Sequence, residues 1–351
     1  MDAECQPKTI DPKTKSLAIG VALGVGVGWL VVVAMVAVMV GRVNAAKREA
    51  EERTAETGSV ASAELSWEEP STPGFATGPS ADAVVPPRPE LPTPAAPPAA
   101  EAKEIDRVAL RNSLEEVERR SGGRLALSYI GPDHKTGFAY NGDQPKPAGE
   151  LTKLCLMVSA LSRVDRGEWS MEAPFGGTGM TLVEGIKGMM EGSDPLVANA
   201  IIDQVGIEEL DREIHSYMAL STNTSIQRKV LDMAARARGL ENTITTNDIA
   251  QLLFSLGRGE LLGGESTELA LEALRGQQYR SKIPRGIPSL AGVVVGNRPA
   301  ELPDLESDAA IIWYPDRRWS VLVVSIDGHQ DPVVARQAAT DVVSIVWTAA
   351  N

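Results

Sequence analysis

Aromatic residues, cysteine and histidine are all scarce in this chain of 351 residues, and each scarcity excludes a class of protein. Phenylalanine, tryptophan and tyrosine together make up 4% of the sequence, which argues against a stacking platform for single-stranded nucleic acid. Two cysteines are too few for a scaffold held by several disulfides. His134, His215 and His329 lie far apart without metal-ligand spacing, so we expect no metal site and no cofactor.

Positive charge is also in the minority. Lysine and arginine number 34 against 47 aspartates and glutamates, which gives a formal net charge of -13. Nucleic-acid binding depends on a basic surface that neutralises phosphates, so the composition excludes this class of function. Hydrophobic residues make up 43% of the chain, which is enough for a sizeable core.

One long apolar segment lies near the N-terminus. The residues from Leu17 to Val40 carry no charge, and this run of about 24 helical residues is long enough for the ~30 Å hydrocarbon core of a bilayer. We therefore predict a short cytoplasmic tail over 1–16 and a transmembrane helix over 17–41. The segment is longer than the apolar run of a signal peptide, so we expect an uncleaved anchor.

Glycines at a spacing of four follow one face of this predicted helix: Gly20, Gly24 and Gly28. Small residues at this spacing let two membrane helices approach closely, which predicts a homodimer; the alternative is that glycine is simply frequent in membrane helices. Residues 42–102 are dominated by proline, alanine, serine and threonine. We predict that they form a disordered Pro/Ala-rich linker, because such a composition buries too little apolar surface to fold.

Residues 103–351 are the part that we predict to be globular. Helical periodicity occurs at both ends and in a long middle block, whereas strand patterns occur only towards the two ends. The main predicted helices are Ile105–Arg120, Glu150–Val164 and Asp331–Trp347; the predicted strands are Leu125–Ile130, Phe138–Tyr140, Val293–Val295, Ala309–Trp313 and Trp319–Ile326. This order predicts an α+β fold with an antiparallel sheet from both chain ends, flanked by helices, and an inserted helical subdomain.

Six local strings in this part occur in an order that resembles the class A β-lactamase and penicillin-binding serine hydrolase family. They are Tyr140–Ala148, Leu161–Gly167, Ser193–Asn199, Arg228–Asp232 with Glu241–Thr246, Gln277–Pro284, and Glu301–Ile312. The resemblance covers residues 103–351 and implies a β-lactamase/transpeptidase-like fold. It also implies a domain outside the cytoplasm, with the N-terminus inside.

The family's chemistry uses four motifs, and all four are altered in this sequence. The nucleophile motif S-x-x-K corresponds to Glu150–Lys153 (ELTK), in which a glutamate stands in the place of the serine. The S-D-N motif corresponds to Ser193–Pro195 (SDP), and the K-T-G motif corresponds to Arg298–Ala300 (RPA). The omega-loop glutamate corresponds to a position near Asn223, within a window that contains no acid.

The resemblance thus implies a degenerate site at Glu150, Lys153, Ser193 and Asp194, in which we assign no residue as catalytic. The candidate ligand contacts are Arg298, Ser193 and Lys153. Each position also has a purely structural interpretation. Glu150 and Lys153 are spaced for an ion pair one helical turn apart, the SDP string is typical of a helix N-cap, and Arg298 would be a solvated loop residue.

Two further features of the sequence have simpler interpretations. Lys135–Gly137 spells KTG but lies in the predicted first hairpin, so we treat it as coincidence. Cys155 lies in an apolar run and is expected to be a buried core thiol.

These observations predict a membrane-anchored, extracytoplasmic protein that is catalytically inactive and binds or senses a cell-envelope ligand or partner, either a cell-wall fragment or an envelope protein. One alternative is an active serine-type hydrolase of β-lactams or cell-wall peptides with rerouted chemistry, in which Glu150 and Asp194 form a carboxylate pair. The other is a structural membrane protein with an inert head. Fold alone does not choose among them, because function depends on the site.

Overall fold

The computed structural model describes residues 105–351, apart from the side chain of Leu290. The predicted tail (1–16), membrane helix with its glycine face (17–41) and linker (42–102) lie outside the described residues. Within residues 105–351, no helix is long and apolar enough to cross a membrane.

Helices and strands follow the predicted order. The α-helices are α1 Arg107–Ser121, α2 Thr152–Asp165, α3 Leu182–Glu191, α4 Pro195–Val205, α5 Ile207–Ser216, α6 Met233–Ala237, α7 Thr246–Gly257, α8 Gly264–Arg275, α9 Ile283–Gly286 and α10 Pro332–Ala350. The strands are β1 Arg124–Ile130, β2 Gly137–Tyr140, β3 Lys146–Pro147, β4 Thr243–Ile244, β5 Val294–Leu302, β6 Leu305–Trp313 and β7 Trp319–Asp327. Two 3₁₀ turns occupy Gly149–Leu151 and Ser289–Ala291.

The main sheet has five antiparallel strands in the order β2-β1-β7-β6-β5. Strands from the start and the end of the domain pair directly, with Leu127 opposite Val324. The prediction of an α+β fold with a sheet from both chain ends is therefore confirmed. A separate short pair joins β3 to β4.

Each face of the sheet carries its own hydrophobic core, because side chains alternate along a strand. On one face, Leu127, Leu322 and Val324 pack with residues of α1 and α10. On the other face, Ile311 and Val323 pack with the helical block that runs from α2 to α8. The α2 helix is the centre of that block, since all its residues from 152 to 163 are buried.

Two predicted boundaries are wrong near the altered motifs. Glu150 does not lie in an α-helix but in the 3₁₀ turn that precedes α2. This tight turn begins at Gly149, whose φ of +50° is the left-handed conformation that glycine adopts at low cost. Strand β5 is longer than the predicted Val293–Val295, because pairing with β6 continues through Leu302 despite a sequence of low strand propensity.

Candidate functional site

The 3₁₀ turn holds Glu150 against the free edge of the sheet. A Cβ atom on Gly149 would lie 3.2 Å from Ala300 and 3.1 Å from Leu305, closer than ordinary van der Waals contact, so a side chain here would require these neighbours to shift. The carboxylate of Glu150 then reaches the edge strand, where its Oε2 accepts a hydrogen bond from the backbone N–H of Glu301 at 3.0 Å.

The predicted ion pair between Glu150 and Lys153 is absent. Glu150 bonds to Glu301, while the Lys153 Nζ donates to the carbonyl oxygen of Ser193 at 2.8 Å. The reason is the 3₁₀ turn, which takes Glu150 out of the α-helical register in which residues three apart meet. Lys153 is fully buried, with 1% of its surface exposed.

The SDP string does form an N-cap, as the structural interpretation predicts. The Asp194 Oδ1 accepts a hydrogen bond from the N–H of Leu196 at 2.8 Å, and Pro195 occupies the first position of α4. Ser193 precedes this cap with a φ of +65°, which is uncommon for a residue with a side chain. This backbone turns the Ser193 carbonyl and hydroxyl towards two buried cations.

Arg298 is the second of these cations. Its Nη2 donates to the Ser193 Oγ at 2.6 Å, and its Nη1 donates to the carbonyl oxygens of Met189 and Met190 at 3.1 and 2.9 Å. These carbonyls lie in the last turn of α3, where a cation is favourable. Arg298 is fully buried in the middle of β5, so its interpretation as a solvated loop residue is wrong. Because β5 continues through Leu302, Arg298 lies within the sheet and not in a loop.

The electrostatics follow from this burial. Burial and the charge of Arg298 lower the pKa of Lys153 to about 8, although Glu150 and Asp194 act in the opposite direction. Burial also lowers the pKa of Arg298 to about 10, with Glu150 the largest opposing influence. The charge of Glu150 thus favours the protonated forms of both Lys153 and Arg298. Neither side chain makes an ion pair with Glu150.

The free edge of β5 is occupied by side chains near both of its ends. In an antiparallel edge strand, alternate residues direct their backbone groups away from the sheet, and here these include Val295, Pro299 and Glu301. The Val295 carbonyl accepts from Arg280 at 3.0 Å, and the Glu301 N–H donates to Glu150. Pro299 has no N–H to offer. An extended peptide therefore finds few free partners for an added strand on this edge.

The region predicted to correspond to the omega loop contains no acid at the expected position. Asn223 is exposed, and its Nδ2 donates to the carbonyl of Asp143. Asp248 fixes this loop instead, because it accepts hydrogen bonds from Ser221 and Thr224. Burial tends to raise the pKa of Asp248, but these hydrogen bonds outweigh it and hold the pKa below its usual value. Asp248 is therefore a structural acceptor.

The remaining predicted features lie away from this cluster. Lys135 and Thr136 belong to the β1–β2 turn, in which Asp133 accepts from both backbone N–H groups. Cys155 is buried as expected, and burial raises the pKa of its thiol to about 12. Among the described residues, no group of three or more histidine, cysteine, aspartate or glutamate side chains is arranged to hold a metal ion.

Some important partners were not among the predicted site residues. The Glu301 N–H is a backbone group that meets Glu150 across 151 positions of sequence, so no local signal indicates it. Arg280 on the Val295 carbonyl is equally remote from any motif. For Asp248 the sequence contains a weak indication, because Thr245 and Asp248 have the spacing of a helix N-cap and its N3 residue. In the structure, the Thr245 hydroxyl accepts a hydrogen bond from the Asp248 N–H.

Comparison with known proteins agrees with this architecture. The model of the β-lactamase enzyme family matches residues 109–350. The chain belongs to this family. No curated protein matches the sequence.

Solved structures of the family share the fold of this β-lactamase-like domain. A variant of the class A β-lactamase of the last common ancestor of Gram-negative bacteria, bound to 5(6)-nitrobenzotriazole, is 25% identical with a TM-score of 0.63; the match covers 69% of this chain and 98% of that one. The ancestral class A enzyme itself is 24% identical with a TM-score of 0.63, covering 68% and 99%. PBP-A is 22% identical with a TM-score of 0.61, covering 69% and 95%.

Proposed function

We propose that this protein is a membrane-anchored, catalytically inactive member of the β-lactamase family whose domain binds a cell-envelope ligand or partner outside the cytoplasm. The observation that carries the proposal is the Glu150 contact. A carboxylate stands in the place of the nucleophile, and it accepts the outward N–H of Glu301 at 3.0 Å. That N–H is therefore not free to stabilise an oxyanion.

Acyl transfer by this kind of site needs a hydroxyl nucleophile, a base and unoccupied donors for the oxyanion. Glu150 supplies a carboxylate, whose acyl product would be a labile anhydride. The Ser193 hydroxyl is engaged with Arg298, and its carbonyl is engaged with Lys153. The polar groups of the degenerate site thus bind one another, which supports a structural role for the cluster.

The same contacts restrict how a ligand can reach the candidate residues. Lys153 and Arg298 have 1% and 0% of their surface exposed, so a cell-wall fragment could contact them only after Glu150 and its turn moved. We therefore favour an envelope protein that binds the outer surface of the domain over a fragment in the old cleft. Family membership and the predicted tether support an extracytoplasmic position, with anchoring by residues 17–41.

Acylation by a penicillin tests the proposal. The full-length chain is incubated with penicillin G and its intact mass is recorded, beside the Glu150→Ser variant. PBP-A is the positive control, since a variant of it has been solved as an acyl-enzyme complex with penicillin G. We expect no adduct on the native chain, whereas a stable adduct would overturn the inactive assignment. An adduct on Glu150→Ser alone would show that Glu150, which replaces the nucleophile and occupies the Glu301 N–H, is sufficient to silence the site.

One observation favours the alternative of rerouted hydrolytic chemistry. A lysine with a pKa of about 8 is partly neutral near physiological pH and is able to act as a base. The two carboxylates of the suggested pair do not meet, however, because Glu150 and Asp194 each accept a separate backbone N–H. Turnover of a β-lactam or muropeptide that is lost in Glu150→Gln would establish this alternative.

The predicted homodimer is tested separately. Crosslinking of the full-length chain in membranes should trap a dimer, and replacing Gly24 with leucine should reduce it, because close helix approach needs a small residue there. Monomers alone in the native sample would remove the dimer from the proposal.

A further inference from the structure

A second cleft lies at the other end of strand β5, away from Glu150. It encloses about 250 Å³ between the segment around α9 and the start of β5. Its apolar lining residues include Ile287, Val293 and Val295, and its polar side chains are those of Arg280, Arg285 and Ser289. No carboxylate is present among the described residues that line it.

Arg280 is held in place without being neutralised. Its Nη1 donates to the Val295 carbonyl at 3.0 Å and to the Asn297 Oδ1 at 3.4 Å, and both acceptors are uncharged. Asn297 in turn donates to Asp308, which lies behind it. Lys282 is the cation that acts on the Asp308 carboxyl. Among the described residues, no carboxylate forms an ion pair with the Arg280 guanidinium beside the cleft.

Arg285 is the second uncompensated cation. It lies on α9 with its side chain exposed, and in the described part of the chain it has neither a hydrogen bond nor an ion pair. By contrast, several other arginines among the described residues have acidic partners; Arg318, for example, pairs with Asp316. In a chain with a net charge of -13, two unpaired arginines at one cleft are unusual.

We propose that this cleft binds a phosphate monoester group. Two guanidinium groups match the charge of a phosphate dianion, and their planar N–H pairs fit phosphate oxygens in a bidentate manner. The Ser289 hydroxyl adds a hydrogen-bond donor, and the apolar lining residues can contact the organic group that carries the phosphate. A volume of about 250 Å³ fits a phosphate with a small substituent. The inference goes beyond the proposed function and does not depend on it.

Inorganic phosphate is the first probe. The full-length chain in a neutral detergent is titrated with sodium phosphate, with sodium chloride at equal ionic strength as the reference, and the melting temperature is recorded. We expect phosphate near ten times its Kd to raise the melting temperature by about 3 °C, because a ligand that binds only the folded state stabilises it. A shift no larger than that with chloride would overturn the proposal.

Variants locate the effect at the cleft. Arg285→Ala and Arg280→Ala should each weaken phosphate binding by about tenfold or more. Arg238→Ala is the matched control, because Arg238 is also exposed and follows α6, outside the cleft. If Arg285→Ala responded to phosphate like Arg238→Ala, the cleft would not be the site. Since Arg285 is exposed and makes neither a hydrogen bond nor an ion pair with the described residues, its substitution should leave the fold intact.

The phosphate could belong to a soluble molecule or to a lipid headgroup, and a short-chain lipid separates the two sources. Dihexanoyl phosphatidic acid presents a phosphate monoester, whereas dihexanoyl phosphatidylcholine presents a zwitterionic diester. Tighter binding of phosphatidic acid than of inorganic phosphate indicates a lipid source, and equal binding indicates a soluble one. Equal binding of phosphatidic acid and phosphatidylcholine would contradict recognition of a phosphate monoester. None of these outcomes changes the penicillin result, so the two proposals fail independently.

Discussion

Two regions along strand β5 differ in how their cations are compensated. In the middle of the strand and towards Leu302, Lys153 and Arg298 are buried, bonded to carbonyl and hydroxyl oxygens, and accompanied by the carboxylate of Glu150. At the end near Val294, Arg280 and Arg285 face a cleft without a carboxylate. A cation that the protein neutralises itself contributes to the fold, whereas one left uncompensated is available to a ligand.

Under the proposed inactive assignment, the comparison also explains how an enzyme fold keeps its architecture without its catalytic site. The polar groups of an active site are costly to bury without partners. Here Glu150, Ser193 and the carbonyls of α3 provide those partners, so the cluster has become part of the core. The following predictions test this contrast in order of decreasing effect on the free energy of unfolding.

Arg298→Ala should have the largest effect. The substitution removes a fully buried side chain, leaves the Met189 carbonyl and the Ser193 hydroxyl without this donor, and leaves the Met190 carbonyl with Gln277 alone, which should cost about 4 kcal/mol. Arg298→Lys should cost about 2 kcal/mol, because an ammonium lacks the planar fork that reaches several acceptors. Urea unfolding measures both. Arg238→Ala, on the surface, should stay within about 0.5 kcal/mol; equal losses for Arg298→Ala and Arg238→Ala would refute the structural role of Arg298.

The Glu150→Gln variant distinguishes the contribution of the Glu150 charge to stability from that of its hydrogen bond. Its amide oxygen can still accept from the Glu301 N–H, but the negative charge that favours Lys153 and Arg298 is lost. Because Glu150 is partly exposed, we expect a loss of about 1–2 kcal/mol at pH 7. Glu301→Gln is the control, since it changes the neighbouring carboxylate, which pairs with Lys282 instead. An unchanged free energy of unfolding in Glu150→Gln would show that the charge of Glu150 does not stabilise the buried cations.

The pH dependence of stability reports on Lys153. Its pKa is about 8 in the folded chain, whereas the ordinary pKa of a lysine is 10.5, so between these values the unfolded chain binds more protons. Stability should therefore rise with pH across this window, and the contribution of Lys153 between pH 8 and 9.5 should be about 1 kcal/mol. Urea unfolding at several pH values measures it. Lys153→Met should abolish the rise, and an identical slope in the variant would assign it to another group.

Asp194→Ala should have a smaller effect. It removes the side chain that accepts from the Leu196 N–H at the start of α4, and loss of an N-cap costs about 1 kcal/mol. Asp194→Asn should retain most of the stability, because asparagine is also a good cap. If both variants lost the same free energy of unfolding, the stabilising property of Asp194 would be its charge near Lys153 and not its hydrogen bond to the helix N-terminus.

The sequence predicted the fold because its signals are local and repeated. Apolar alternation in β6 and β7, helical spacing in α1 and α10, and the capped start of α4 each specify an element within a short window. These windows occur in the order of the family, which is why the sheet from both chain ends could be predicted.

The site could be predicted only in part, because its decisive contacts join distant segments. The altered residues were visible, but the direction of the Glu150 side chain depends on the 3₁₀ turn and on a backbone N–H far along the chain. Arg298 was a candidate ligand contact with a solvated loop arginine as the alternative, and its flanking asparagine and proline are poor strand residues. Pairing of β5 with β6 overrides this propensity and buries the side chain.

Hydrogen exchange at the Glu301 amide tests the central claim most directly, because this N–H is the group that Glu150 occupies. We predict that the amide of Glu301 exchanges at least about tenfold more slowly in the native chain than in Glu150→Ala, since the variant leaves the edge N–H open to water. The neighbouring amide of Ala300, which faces β6, should exchange alike in both. Equal exchange of Glu301 in the two proteins would show that Glu150 does not close the edge, and the account of a silenced site would fail.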